Sequence, residues 1–258
     1  MKKISLFIGL FFVCFGLTST ANTKQLLDER IKTGEELSQK WDYQGAVDVY
    51  EKTLVDNPGN FELLWRLAHN YIKLGLMTKD IKQRTEFYEK AAIYAEKAIA
   101  VDDKRIEGYL WLAVAQGRLA LLKGGKEKVI LSKNVKAKAE KALEIDPDND
   151  IALHVLGSWH LEAATLPSIL KVFAKVIYGG LPPYSIEEAR MYLEKAVAIN
   201  PGLIEHHLEL GNCYKALKKW ELAKKEWSKC LELTPLDAYD KDFQEEAKTL
   251  LSEYKNRK

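Results

Sequence analysis

Small and apolar residues recur along the chain at the spacing of one face of an α-helix. Each instance has a first residue, a leucine three positions later, a small residue next to it and a polar or aromatic residue three positions further. The instances are Leu64, Leu67, Ala68 and Tyr71; Tyr109, Leu112, Ala113 and Gln116; Leu153, Leu156, Gly157 and His160; and His207, Leu210, Gly211 and Tyr214. This spacing predicts helices with one apolar stripe, on which the small residue lets a neighbouring helix approach closely.

A second kind of helix follows each of these and also precedes the first of them. Alanine-containing segments run into a short acidic, Asn or Thr turn, which usually ends in proline. The segments are residues 46–50, 91–98, 135–142, 189–196 and 223–230, with turns ending at Pro58, Asp103, Pro147, Pro201 and Pro235. A residue before proline is biased away from helical geometry, so these turns predict helix ends. The chain therefore reads as about five helix pairs.

The pairs resemble the tetratricopeptide repeat, a 34-residue helix-turn-helix unit. The last unit carries the signature most fully, with Leu210, Gly211, Tyr214, Ala223, Trp227, Cys230 and Pro235. The resemblance implies an all-α, right-handed solenoid of about five hairpins that acts by binding a partner. We expect this domain at residues 22–236, and a polar helix in residues 237–258 that covers the apolar side of the last repeat.

Unit lengths depart from a regular tandem array. The closing positions are separated by 45, 44, 54 and 34 residues, so the three central units are lengthened. The extra residues, 75–90, 123–134 and 165–188, all fall between the two helices of a unit, which predicts insertions on one side of the solenoid.

The lengthened central units resemble those of the regulator of microtubule dynamics family. The resemblance covers roughly residues 60–235 and is most specific in three segments: residues 152–159; Phe173 with 178–183; and 186–189. It implies a binding role, since eukaryotic members are associated with microtubules and at least one type with membrane contacts and phospholipid.

The N-terminal residues have the pattern of a signal peptide. Lys2 and Lys3 precede an uncharged apolar run from residue 4 to 17, and Ser19 and Ala21 place small side chains at the positions that a signal peptidase recognises. The run is shorter than the ~20 residues that a membrane-spanning helix needs, so an anchor is the weaker interpretation. We predict cleavage of residues 1–21 and export, to the periplasm or cell envelope if the source is bacterial. This departs from the eukaryotic members and argues against a cytosolic tubulin role.

Export would leave Cys213 and Cys230 as the two cysteines of the mature chain, on the two helices of one hairpin. A disulfide is possible in an oxidising compartment, but two small buried thiols are the preferred interpretation.

Charge and motifs exclude several classes of function. Lys and Arg total 39 against 37 Asp and Glu, so the net charge of +2 does not indicate a nucleic-acid partner. No nucleophile elbow, phosphate loop or dinucleotide fingerprint occurs, and the five histidines lack ligand spacing, so we predict no enzyme, cofactor or metal. The alternating carboxylates of 146–150 resemble the start of a calcium loop but lack its glycine and closing glutamate, which favours an inter-repeat turn. Oligomeric state is not indicated.

Two of the insertions have contrasting chemistry. Residues 123–141 carry seven lysines, which indicates a solvated face or, as an alternative, a patch for anions or membrane surfaces. The helix predicted at 165–178 is apolar, with Ile169, Phe173, Ile177 and Tyr178 among its large side chains. We expect it to fold back and fill the interior of the superhelix; as the alternative, it lines a lipid groove or contacts a membrane.

Tetratricopeptide ligands usually lie against the first helices, and this resemblance implies a set of partner-binding positions. They are Trp65, His69, Ile72 and Lys73 in the second unit; Leu110, Val114 and Arg118 in the third; His154, Ser158 and Leu161 in the fourth; and Leu208, Asn212 and Lys215 in the fifth. The mixture suits a peptide or lipid tail with an anionic end near Lys73 or Arg118. The predicted function is an exported scaffold that binds a protein segment through its concave face. Packing of several of these residues against the insertion helix is the open alternative.

Overall fold

Twelve α-helices make up the part of the chain that the structure describes. The computed structural model describes residues 11–255 and residue 257, with side chains from residue 23 onwards, and this part contains no strand. The helices are α1 Phe11–Gln39, α2 Tyr43–Asp56, α3 Phe61–Met77, α4 Ile81–Val101, α5 Ile106–Leu122, α6 Gly125–Ile145, α7 Asp150–Thr165, α8 Ser168–Tyr178, α9 Ile186–Ile199, α10 Ile204–Ala216, α11 Trp220–Glu232 and α12 Asp240–Glu253.

The helices pack as five successive pairs with a closing helix. The pairs are α1 with α2, α3 with α4, α5 with α6, α7 with α9 and α10 with α11, and α12 packs against both helices of the last pair. Each pair also packs against the next one. The prediction of an all-α solenoid of five hairpins, with a helix that covers the last repeat, is therefore confirmed.

Side-chain caps fix where several helices begin. The Oδ1 atoms of Asn60, Asp80 and Asn149 accept hydrogen bonds from backbone N–H groups three residues later, at 3.0, 2.8 and 3.0 Å. Such bonds satisfy donors that the first turn of a helix leaves free. Asn149 caps α7 and Asp146 ends α6, so the segment that resembles a calcium loop is an inter-repeat turn.

The first two insertions lengthen helices instead of forming loops. Only residues 78–80 separate α3 from α4, and only residues 123–124 separate α5 from α6. Helices α4 and α6 each contain 21 residues, against 14 in α2 and 13 in α11. The third insertion forms a helix of its own, α8, so that α7 pairs with α9.

Close approach between paired helices occurs where the first helix carries glycine. A Cβ atom added at Gly211 would lie 2.5 Å from Cδ1 of Trp227, which is fully buried on α11. At Gly157, an added Cβ would lie 2.7 Å from Cγ of Leu193 on α9. A large side chain on the second helix therefore fills the space that the missing side chain leaves.

The two cysteines lie in the core of the last pair. Cys213 and Cys230 are free, buried thiols, and burial raises the pKa of each to about 12. This agrees with the interpretation of two small hydrophobic residues.

The contacts between repeats show which way the stack curves. Successive first helices touch one another, α1 with α3, α3 with α5, α5 with α7 and α7 with α10. The backbones of successive second helices, among the described ones, do not approach each other in this way, and long side chains bridge between them, as Tyr94 on α4 does to Glu51 on α2 at 3.0 Å. The second helices are therefore spread apart on the outside, and the first helices form the inner face.

About half of the predicted signal peptide lies beyond what the structure describes. Residues 1–10 are outside the described residues, and residues 11–21 belong to the backbone of α1. Within the described part of the chain, each helix is too short or too polar to traverse a bilayer.

Two glycine substitutions on first helices are expected to have opposite effects. Gly211→Ala should lower the free energy of unfolding by about 1–3 kcal/mol, because the new methyl group overpacks against Trp227. Gly117→Ala should raise it by about 0.5–1 kcal/mol, because alanine favours the helix and its Cβ would meet only Val135 Cγ2, at 3.9 Å. Urea denaturation followed by circular dichroism measures both, and equal effects of the two substitutions would contradict this packing.

Candidate binding groove

A cavity of about 270 Å³ opens between the first helices α5, α7 and α10 and the second helix α6. Its walls are largely apolar, formed by side chains such as Val114, Val155 and Trp159, and Gly117 leaves open space on the α5 side. The charged and titratable residues at its walls are Arg118, Lys128, His154, Glu162, Glu205 and Glu209. We call this cavity the inner groove.

Arg118 on α5 and Glu205 on α10 form an ion pair across the groove, and both are largely buried. Burial alone would raise the pKa of Glu205, but the charges of Arg118 and His154 outweigh it and lower the pKa to about 2. The two charges therefore neutralise each other. The ion pair joins the third repeat to the fifth, through residues that are 87 positions apart in sequence.

Two histidines and an aspartate form a chain of hydrogen bonds beside this pair. His206 Nε2 lies 3.1 Å from Asp150 Oδ2, and His206 Nδ1 lies 3.1 Å from His154 Nδ1. A neutral imidazole has one donor and one acceptor nitrogen, so the tautomers of the two rings set the direction of the hydrogen bond between them. Burial, together with the positive charges of His206 and Arg118, lowers the pKa of His154 to about 4. His154 is therefore neutral at pH 7.

Glu209 is the deep carboxylate of the groove that has no counter-charge. Asn212 Nδ2 donates to its Oε2 at 3.4 Å, and the Ser158 hydroxyl donates to it as well. Burial raises the pKa of Glu209, and the nearby Glu205 and Glu162 add to the effect, which outweighs these two hydrogen bonds. No basic side chain of the described residues forms an ion pair with it. The ionised form is therefore poorly stabilised.

Lys73 on α3 holds the connection between α11 and α12. Its Nζ lies 2.8 Å from Asp237 Oδ2 and 2.5 Å from the Tyr239 hydroxyl, and Tyr43 on α2 donates a hydrogen bond to Asp237 Oδ1. We call residues 236–239 the C-terminal strap. It fastens the last repeat to the first two across the inner face.

The predicted partner-binding residues divide into two groups. Arg118, His154 and Ser158 line the inner groove, together with Val114, and Asn212 contacts it through Glu209. The structure thus brings together residues from the third, fourth and fifth repeats.

The other predicted residues are engaged elsewhere. Trp65 donates to Glu62 at 2.9 Å, His69 packs on Trp111 and Leu110 is buried in the core, as are three further predicted residues, Ile72, Leu161 and Leu208. Lys215 lies over the ring of Tyr254, and Lys73 binds the strap. These residues pack or bind within the chain, although the packing is not against the insertion helix.

Two acidic groove residues, Glu162 and Glu209, were missed by one position. The predicted stripe placed Leu161 and Leu208 towards the ligand, whereas these are buried and the following glutamates line the groove. The spacing of Glu205, Glu209 and Asn212 at four and three residues marks a polar stripe on α10, and this signal was available in the sequence.

The insertion helix α8 does not fill the interior, so that expectation was wrong. Only Ala174 is buried, and Ile169, Val172, Phe173, Val176 and Ile177 are each at least half exposed. A hydrogen bond holds the end of α8 against α6, since Lys133 Nζ on α6 donates to the carbonyl of Tyr178 on α8 at 2.9 Å. The helix therefore lies outside, along α6.

A second cavity, of about 140 Å³, lies under α8. It is lined by Leu170, Phe173 and Tyr178 of this helix, among others, and it shares Trp159 and Glu162 with the inner groove. The apolar space under α8 therefore neighbours the inner groove, with Trp159 and Glu162 in the wall that the two share.

Helix pairs of this kind, stacked with their first helices inside, define a tetratricopeptide-like protein. Solved structures agree at the level of fold: a thermophilic TPR protein of Thermus thermophilus matches with a TM-score of 0.61 at 19% identity, over 86% of this chain and 99% of that chain. Pseudomonas aeruginosa PilF matches with a TM-score of 0.53 at 13% identity, over 90% and 93%.

Sequence comparison identifies the family. The profile described as Regulator of microtubule dynamics protein 1-3 matches residues 25–255, and the chain belongs to this family. Regulator of microtubule dynamics protein 1 of Bos taurus is 26% identical over 97% of this chain and 82% of its own length. The Caenorhabditis elegans protein of that name is 25% identical over 86% and 98%. The family and the fold indicate a protein-interaction scaffold and point to a non-catalytic role.

Glu209→Gln is expected to stabilise the protein at neutral pH. The raised pKa of Glu209 means that the fold favours its protonated form, so the ionised carboxylate costs stability above that pKa and costs nothing below the pKa of ~4.3 in the unfolded chain. The melting temperature of the variant should exceed that of the parent at pH 7, and the difference should vanish as the pH falls below ~4. A variant that is less stable at pH 7 would contradict the assignment of an unpaired carboxylate.

Proposed function

We propose that this protein is an exported, non-catalytic scaffold that binds a segment of a partner protein in the inner groove. The observation that supports the proposal best is the groove itself, an open, largely apolar space on the inner face between three repeats. In helical-repeat proteins the extended inner surface is where partners bind.

The size of the groove favours a side chain or two over a whole small molecule. Its volume of about 270 Å³ lies just below the ~300–1,000 Å³ of typical small-molecule pockets. A protein segment could place an apolar side chain against Val114, Val155 and Trp159 while the rest of the segment follows the inner face.

The charges of the inner face alter the kind of segment that we expect. Lys73 and Arg118, to which we assigned an anionic end of the ligand, are engaged by Asp237 and Glu205. An incoming carboxylate would have to break one of these pairs. The proposal therefore no longer includes an anionic anchor at either position.

Export is supported by the basic, apolar and small-residue pattern of residues 1–21. The relatives are named for microtubule dynamics, and an exported chain would act elsewhere, so we do not extend that name to the partner of this protein. The family then supplies the fold and the mode of binding, and the partner differs.

Filling the groove tests the proposal. Gly117→Leu should abolish co-purification of the partner from the cell envelope of the source organism, because the new side chain occupies the open space at Gly117. Gly117→Ala is the matched control and should retain the partner. Affinity purification with protein identification measures both.

Retention of every partner by Gly117→Leu would contradict the groove as the binding site. The intact mass of the purified protein tests export in the same preparation, since we expect the loss of residues 1–21. A full-length mass would contradict export, and it would leave the proposed binding in the inner groove unaffected.

A second candidate function, contact with lipid or a membrane surface, is favoured by the exposure of α8. Six large apolar side chains of this helix are exposed, its two charged residues are Lys171 and Lys175, and the second cavity lies beneath it. Apolar side chains next to lysines are typical of helices that lie in a membrane interface.

Two valines of nearly equal exposure test whether α8 binds membranes or is an ordinary exposed surface. Val176 on α8 is 77% exposed and Val55 on α2 is 79% exposed, and both lie in the last turn of their helices. Val176→Asp should reduce flotation with vesicles that contain anionic lipid, whereas Val55→Asp should not. Equal behaviour of the two variants, or a parent protein that does not float, would exclude a membrane role for α8.

A further inference from the structure

The charges that line the inner groove are unevenly compensated. Arg118 and Glu205 neutralise each other, and the low pKa of His154 leaves that ring uncharged at pH 7. Lys128 is the remaining cation of the lining, which also contains Glu162 and Glu209. It extends from α6 at the wall that the groove shares with the second cavity, and it forms no ion pair with Glu209 within the described part of the chain. One more negative than positive charge therefore lines the groove.

The excess negative charge lies at Glu209. Glu162 is exposed, so water screens its charge, whereas Glu209 lies deeper, on α10. Its two neighbours, Ser158 and Asn212, supply hydrogen bonds but no positive charge. Neutral donors compensate a carboxylate less well than a charged donor does.

Hydrogen-bond acceptors also outnumber donors at this point. Asn212 uses its Nδ2 on Glu209, and its own Oδ1 is buried without a donor among the residues that the structure describes. A carboxylate and an amide oxygen side by side form a donor-poor corner, and an ammonium group, with three N–H donors and no acceptor, suits such a corner.

An apolar surface leads to this corner. Gly117, Val114 and Val155 line the groove next to the charged residues, and Gly117 leaves its side of α5 open. The stems of lysine and arginine consist of three or four methylene groups that pack on apolar surfaces while the charged end finds a polar partner.

We propose that the inner groove is a receptor for a cationic side chain on an aliphatic stem, a lysine or arginine of the partner segment, with Glu209 as its counter-ion. That the cation belongs to a partner protein rests on the proposed function. That the groove binds a cation rests only on the residues that line it. It reverses the charge that the sequence suggested, because Lys73 and Arg118 are bound within the chain by Asp237 and Glu205, and Glu209 has no ion-pair partner among the described residues.

A small probe tests the chemistry without the partner. Hexylammonium should bind to the parent protein in a ¹H–¹⁵N NMR titration, with the largest shifts at the amides of Gly117, Ser158 and Asn212. Glu209→Gln should weaken this binding about tenfold or more, since a hydrogen bond to a charged group contributes ~1.5–3 kcal/mol. Glu96→Gln, which removes an exposed charge from α4, is the matched control and should bind as the parent does.

Hexanoate, with the same stem and the opposite charge, should not shift these amides. Absence of hexylammonium binding, equal binding to the parent and Glu209→Gln, or equal binding of hexanoate would each overturn the proposal. The expected stability of Glu209→Gln allows the variant to be tested folded. Loss of partner binding in Gly117→Leu with no response to hexylammonium would leave the groove function in place and exclude only the cation receptor.

Discussion

Close approach between two paired helices is the constraint on which the rest of this structure depends. A first helix can lie this near its second helix only where it has almost no side chain, and the second helix must then supply a large one, as Trp227 does at Gly211 and Leu193 at Gly157. A single pair buries too little surface to be stable alone, so each pair relies on its neighbours. The position of every inner side chain follows from this packing.

Curvature follows from the same packing and brings distant residues together. Because the first helices converge on the inside, Arg118 meets Glu205 and Asp150 meets His206, although their repeats are not consecutive in every case. Glu209 differs from these pairs, because it accepts hydrogen bonds but has no ion-pair partner among the described residues, and Asn212 Oδ1 beside it has no donor there. Such an incompletely compensated group in an otherwise consistent structure is expected at a site of function.

The periodic features of the fold could be predicted from the sequence, and the non-periodic ones could not. Stripes such as Leu210, Gly211 and Tyr214, with turns ending in proline, were enough to predict the pairs and their order. The exterior position of α8 was missed because an apolar run has the same composition whether it is buried or exposed. On α7 and α10, the residues predicted to line the groove were one position before those that do line it. A helical stripe drifts relative to a fixed set of motif positions, which explains the difference.

Partners far apart in sequence left no local signal. Nothing near Lys73 indicates that Asp237 binds it, since the two are 164 residues apart and belong to different repeats. Arg118 likewise offered no sign of its partner on α10. Seen from its own repeat alone, each of these charges therefore appeared free, and this is why Lys73 and Arg118 were expected to bind an anionic end of the ligand.

The C-terminal strap has a consequence for how the stack unfolds. In an open helical-repeat array, each unit interacts only with its neighbours, so the ends fray independently and partly folded arrays are populated. Here Asp237 links the final repeat to Lys73 and Tyr43 in the first two. Fraying at either terminus would therefore loosen the opposite one, which makes the transition of the whole chain more cooperative than its repeat architecture alone implies.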